Sequence, residues 1–197
     1  MLKVGLTGGI GCGKSVVSTF FAEWGAYIFD ADKEAKKILK ENETAQSEII
    51  AEFGTDVLGV DNKIDKKKLS RIAFQDEYHQ LRINTTIHPY IFREIDAQFD
   101  KINKKGKHNL FVLDAALIYE SGADTHMDYV IVVTSRMGLT TERIMQRGGL
   151  TREEFLQRVD LQWPDEDKIH LADFVIQNNS TESLVKQEAK IIYDKLL

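Results

Sequence analysis

The run Gly8-Gly9-Ile10-Gly11-Cys12-Gly13-Lys14-Ser15 satisfies G-x-x-x-x-G-K-[ST] at every fixed position, the pattern of a loop that wraps phosphate groups. Glycine lets the backbone curl until successive N–H groups face one anion, and a helix leaving the loop turns its positive end to the same point. In that arrangement Lys14 reaches the β- and γ-phosphates of a nucleotide, and the Ser15 hydroxyl holds Mg2+. A strand must deliver such a loop and a helix must leave it. Leu2 to Thr7 is apolar enough to be the strand, and Val16 to Trp24 carries the helical pattern.

Other residues suit phosphoryl chemistry. Asp30-Ala31-Asp32 follows a second short apolar run and so falls at the carboxyl edge of a sheet, where open α/β folds bind ligands. A carboxylate there accepts the proton of an attacking hydroxyl or orients it toward the γ-phosphate, and Asp32 is the better candidate of the two. The competing use is structural, since either aspartate suits the cap of a helix starting near Lys33. Asn109 to Asp114 is an apolar strand ending in aspartate. It has the form of a Walker B element, in which Asp114 holds Mg2+ through water; capping of the next turn is the plainer alternative. Arg143 and Arg147 stand four apart and share a helix face. Facing outward they are a solvated surface, the plainer reading of an isolated pair; in a segment inserted after the fourth strand they suit a phosphate clamp that acts when a lid closes. Cys12 admits two readings: a small side chain pointing away from the loop, or a thiol partly activated by the loop and the helix N-terminus.

Two other matches mislead. Asp56-Val57-Leu58-Gly59 fits the D-x-x-G of GTPases, and Asn62-Lys63-Ile64-Asp65 fits their guanine-reading N-K-x-D. Only two residues separate them, whereas those elements end different strands in a GTPase. Their Gly, Asp and Asn are what a turn needs for backbone reasons alone.

The elements that must position these groups follow from periodicity. Leu2 to Thr7, Tyr27 to Phe29, Leu110 to Leu113, Tyr129 to Thr134 and Phe174 to Ile176 are short runs rich in β-branched or aromatic residues. They read as five strands of a parallel sheet buried on both faces, the α/β three-layer class. The long interval between the second and third runs holds helical patterns such as Ala35 to Leu39 and Leu81 to Ile87, so 33–107 is expected to be a helical insert interrupting a core of 1–32 and 108–197. A shorter insert, about 137–163, is expected to be the lid. The final stretch, Thr181 to Leu197, closes the domain as a helix with Thr181 or Ser180 as N-cap.

Bulk properties exclude several classes. A chain of 197 residues, 43% of them hydrophobic, supports one domain with inserts. With 26 basic against 31 acidic residues and a formal charge of −5, a broad basic face for nucleic acid is not expected. Residues 1–6 already read as strand, without a basic leader, and no run approaches the ~18–20 apolar residues of a membrane span. A cytoplasmic protein with a small-molecule partner is expected, as a monomer or weak homo-oligomer. Its single cysteine supports neither an internal disulfide nor a zinc site.

Taken in order, Val4-Gly5-Leu6-Thr7-Gly8-Gly9-Ile10-Gly11 running into Gly13-Lys14-Ser15, then Asp30-Ala31-Asp32, Ile87-His88-Pro89, Arg143 with Arg147, Gln162, and Ala172-Asp173-Phe174-Val175-Ile176 followed by Asn178-Asn179 resemble the dephospho-CoA kinase family over almost the whole chain. The resemblance implies a P-loop fold of the nucleoside-monophosphate-kinase type and ATP-dependent phosphorylation of the ribose 3′-hydroxyl of dephospho-CoA. By the same resemblance, Asp32 is the general base. Gly11, Cys12, Gly13, Lys14, Ser15 and Val16 hold the ATP phosphates, Arg147 and Arg143 reach them from the lid, and Asn178 lies near adenine. The insert with His88, together with Gln162, forms the acceptor surface; read alone, a histidine before proline is an ordinary turn residue. The chain departs from the family's Asp-x-Pro-Leu-Leu-Phe-Glu at Asp114-Ala115-Ala116-Leu117-Ile118-Tyr119-Glu120, which lacks the proline, and it has Thr140 for the usual glutamine and Gly148 for the usual aspartate. The rival readings are a P-loop kinase for another small acceptor, such as a nucleoside monophosphate, and a nucleotide-binding switch with no acceptor.

Overall fold

One parallel sheet organises the larger part of the chain in the computed structural model, which describes residues 1–197. Its strands are β1 (Leu2–Thr7), β2 (Tyr27–Asp30), β3 (Leu110–Asp114), β4 (Tyr129–Thr134) and β5 (Phe174–Gln177). They lie in the order β2-β3-β1-β4-β5 with every neighbouring pair parallel. The helices are α1 (Lys14–Glu23), α2 (Ala31–Glu41), α3 (Glu43–Phe53), α4 (Lys66–Ala73), α5 (Glu77–Lys105), α6 (Met137–Arg147), α7 (Arg152–Asp160), α8 (Asp165–Leu171) and α9 (Glu182–Lys195). None of them is long and apolar enough to cross a membrane.

Near-continuous hydrophobicity in the strands is explained by burial on both faces. Alternate residues Val4, Leu6, Leu110, Val112, Ile131, Val133 and Ile176 share one core with Val17, Phe20 and Phe21 of α1 and Val185, Ala189 and Ile192 of α9. Tyr193 closes that layer edge-on against Phe21, with ring centroids 5.3 Å apart. The intervening residues face the other way, as period-two alternation requires. There Phe111 of β3 gathers Tyr27, Phe29 and Phe99 around its ring at 5.4–5.9 Å.

The chain divides into two compact units, one of residues 1–30 with 98–197 and the other Ala31–Ala97. The second unit is narrower than the 33–107 read from periodicity. Helix α2 begins directly after β2, and α5 runs unbroken to Lys105 with Phe99 already against the sheet. Within this second unit Ile38, Ala45, Ile49, Val57, Leu69 and Ile87 form a separate apolar core. His88-Pro89 is not a turn there: both residues lie inside α5, which continues past the proline despite the lost backbone donor.

The GTPase-like letters are accounted for by backbone chemistry. Leu58 and Ile64 form an isolated antiparallel bridge around a tight turn in which the Gly59 N–H donates to Lys63 O at 2.8 Å. Asn62 takes a positive φ of 57°, and Asp65 caps α4 by accepting from the N–H groups of Lys67 and Lys68. Thr181 stands at the N-cap position of α9 but makes no side-chain cap hydrogen bond.

Candidate active site

The strand–loop–helix unit at the centre of the sheet is built as an anion site. Strand β1 ends at Thr7, the glycine-rich loop follows, and α1 begins at Lys14 with no acidic residue in its first turn. Gly13 occupies the N-cap position with φ 91°, and a Cβ there would collide with the Asn178 amide, so only glycine serves. The loop closes on itself through Cys12 N–H to Gly9 O (3.1 Å) and Val16 N–H to Gly13 O (3.0 Å). Ser15 is exposed on the second residue of α1, while Val16 packs against the α1–α9 core. Gly11 backs onto Thr140 and Ile144 of α6.

Lys14 is ion-paired with Asp114, the last residue of β3. Their side chains are only 16% and 10% exposed, which strengthens the attraction over a surface pair. In the sheet register Asp114 stands beside Leu6 of β1 on one side and Asp30 of β2 on the other. Asp32 follows as the second residue of α2 and is exposed. It is therefore inside the helix and not its N-cap.

Arg143 faces inward from α6. Its guanidinium donates to Asn178 O (3.0 Å), Asn178 Oδ1 (3.3 Å), Ser135 Oγ (3.1 Å) and Cys12 O (3.5 Å). The Asn178 amide also donates to Cys12 O at 2.9 Å. These two side chains thus grip the loop backbone through a shared carbonyl. Arg147, one turn on, is exposed at the last residue of α6. The helix stops because Gly148 follows with φ 70° and donates to Ile144 O at 3.1 Å, a backbone position at which the family's aspartate would be strained. Buried Thr140 donates to Met137 O (2.9 Å) within α6.

Gln162 is brought to the same loop: its Oε1 accepts from the Ile10 N–H at 3.0 Å. His88 lies in the other compact unit, half-buried beside Phe92 with ring centroids 5.9 Å apart, and burial pushes its pKa below the usual imidazole range. Cys12 is 1% exposed and belongs to the apolar core under the loop. Burial pushes its thiol up to about 11, outweighing the Lys14 N–H and the Lys14 charge that act the other way. The activated-thiol reading is therefore wrong, and the small inward-facing side chain is what the structure has.

Residue types alone did not single out the supports beneath this site. Thr7 Oγ1 donates to Ala116 O (3.1 Å), Thr134 Oγ1 donates to Asp165 Oδ2 (3.0 Å), and fully buried Lys168 reaches Glu120 Oε1 (2.7 Å). Thr7 and Thr134 were visible as the polar ends of β1 and β4. Lys168 sits in the charged run Asp165-Glu166-Asp167-Lys168, which reads as a solvated face.

A nucleotide-phosphate loop on the central strand, its lysine paired to the aspartate ending the neighbouring strand, defines a P-loop phosphotransferase. The dephospho-CoA kinase family model matches residues 2–183. Dephospho-CoA kinase of Aquifex aeolicus is 36% identical over 197 residues, covering 100% of this chain and 98% of its own. That of Geobacillus kaustophilus is 36% identical over 187 residues, 95% and 92% of the two chains. Among solved structures, dephospho-CoA kinase from Campylobacter jejuni superposes with a TM-score of 0.69 at 32% identity, covering 98% of this chain and 96% of that one. The chain belongs to the dephospho-CoA kinase family.

Proposed function

We propose that the chain transfers the γ-phosphoryl group of ATP to the ribose 3′-hydroxyl of dephospho-CoA, giving CoA and ADP as the last step of coenzyme A biosynthesis. Full-length family membership supports the reaction. The observation that carries it to particular atoms is the Lys14–Asp114 pair at the mouth of the glycine-rich loop.

In this reading the loop N–H groups and the N-terminus of α1 bind the phosphates, and Lys14 exchanges Asp114 for the β- and γ-phosphate oxygens. The exposed Ser15 hydroxyl and the Asp114 carboxylate offer the hard oxygen donors that suit Mg2+ shared with phosphates and water. When bound, Mg2+ neutralises charge on the transferring group. Asp32 accepts the proton of the attacking hydroxyl. Arg147, exposed at the end of α6, reaches the phosphates as 137–163 closes over them as a lid, and Asn178 borders the adenine. The helical unit with His88 supplies the surface for dephospho-CoA. Gln162 serves that acceptor site from the loop backbone it holds at Ile10. The enzyme works in the cytoplasm as a monomer or weak homo-oligomer, without nucleic acid.

ADP release is the test, with Mg2+-ATP and dephospho-CoA, AMP, adenosine, shikimate or no acceptor. Turnover restricted to dephospho-CoA is expected. Turnover with another acceptor only, or without any, would overturn the assignment.

A further inference from the structure

The side chain least expected to be buried is Lys168. It comes from the most charged turn of α8, yet it is 0% exposed. Its ammonium lies 2.7 Å from Glu120 Oε1 and 3.4 Å from Ala116 O. Glu120 Oε1 also accepts from the Trp163 N–H at 3.0 Å, while Glu120 Oε2 is sealed from solvent with no protein donor. A buried pair of this kind is a weak source of stability, because desolvation of both charges offsets their attraction and an apolar pair of similar volume often does as well. Its geometry points elsewhere.

Ala116 is two residues past Asp114, where the chain leaves β3 and where the family has its turn-setting proline. Here no proline presets the backbone. The Ala116 carbonyl is instead held from two sides, by Lys168 and by Thr7 Oγ1 at 3.1 Å. Thr7 is itself fully buried and is the last residue before the glycine-rich loop. Thr7 therefore ties the exit of β1 to the segment that leaves β3, and Lys168 holds the same carbonyl from α8, two residues beyond the Asp114 that pairs with Lys14 of α1. Asp165, at the start of the same helix, holds the exit of β4 by accepting from Thr134 Oγ1.

Resting on the kinase reading above, we infer that Lys168 and Glu120 are positioning residues for phosphoryl transfer. They fix the segment after β3 so that the Asp114 carboxylate is aimed for Mg2+ and for exchange with Lys14. Misplacing a group of this kind by about 1 Å costs on the order of 10²-fold in rate.

The test compares wild type with Lys168→Met/Glu120→Leu, which replaces the ion pair by apolar groups, and with Glu120→Gln, which keeps the shape. Readouts are the melting temperature, kcat at saturating substrates, and the Mg2+ concentration that half-saturates binding of a fluorescent ATP analogue. The last needs no acceptor, so it tests this inference even if dephospho-CoA proves not to be the substrate; kcat is then taken with the acceptor that works. The double variant is expected to melt at or above the wild-type temperature, with kcat reduced on the order of 10²-fold and a Mg2+ midpoint raised several-fold. Wild-type kcat and Mg2+ midpoint in the double variant would show the pair to be structural only. Should the double variant not fold, Glu120→Gln decides: a normal melt with reduced kcat and a raised midpoint supports the inference, and unchanged values overturn it.

Discussion

Lys14 of α1 and Asp114 of β3 are ion-paired across the top of the sheet, each mostly shielded from solvent. In the function proposed above the lysine meets phosphate and the aspartate a cation, and nucleotide binding is then an exchange of partners. Lys14→Ala is expected to lower kcat/KM by ~10²-fold or more. Asp114→Asn should leave nucleotide contact in place and raise the Mg2+ concentration needed for half-maximal rate. A Mg2+ titration of ADP release separates the two.

Asp32 is exposed in the first turn of α2, inside the helix and not at its N-cap. Asp32→Asn should therefore leave the melting temperature within a degree or two of wild type and depress kcat by ~10²–10⁴-fold, the range for loss of a general base. ATP affinity measured by calorimetry should hardly change. Near-normal turnover in this variant would remove Asp32 from the mechanism.

Asn178 touches the loop through one buried hydrogen bond to Cys12 O and presents its own oxygens to Arg143. Truncation to Ala leaves buried acceptors and donors unmatched, a cost of ~1–3 kcal/mol. The variant should unfold at lower urea and show a higher KM for ATP, because the loop is freed at Cys12. A stability loss with unchanged KM would place Asn178 outside nucleotide binding.

The Cys12 thiol, raised from 9.0 to about 11 by burial, stays protonated at neutral pH. Iodoacetamide at pH 7.5 should neither label nor inactivate the folded protein. The folded state holds this proton more tightly than the unfolded one, so its stabilising contribution is complete below pH 9 and is lost as pH rises toward 11. Urea midpoints at pH 8 and pH 10 for wild type and Cys12→Ala give the sign directly.

His88 has the opposite linkage. Burial lowers its pKa in the folded chain from 6.5, so below that pH the unfolded chain takes up the proton first and stability falls on acidification. His88→Gln should flatten the urea midpoint between pH 7.5 and pH 5.5 relative to wild type. An equal slope in both proteins would assign the acid sensitivity to other groups.

The strands were legible to within a residue, because burial on both faces leaves runs such as Leu110–Asp114 almost without polar interruption. The glycine-rich loop was legible because its chemistry demands fixed letters at fixed spacing. What periodicity could not convey was the long-range pairing under the site. Lys168 reads as surface until Glu120 and Ala116 are placed beside it, and Gln162 shows its partner only when the loop delivers the Ile10 N–H. His88-Pro89 defeated local rules for a related reason: α5 carries apolar anchors on both sides of the proline, Ile87 and Ile95 among them, and tertiary packing outweighs one missing backbone bond.

A chain whose one cysteine is buried with a raised thiol pKa offers a clean background for spectroscopic probes once the alkylation experiment above gives its expected result. Cysteines introduced at exposed Glu153 on α7 and Gln187 on α9 would accept a spin-label or fluorophore pair with no competing thiol to block. The lid closure proposed above then becomes testable as a distance distribution read in solution, nucleotide by nucleotide.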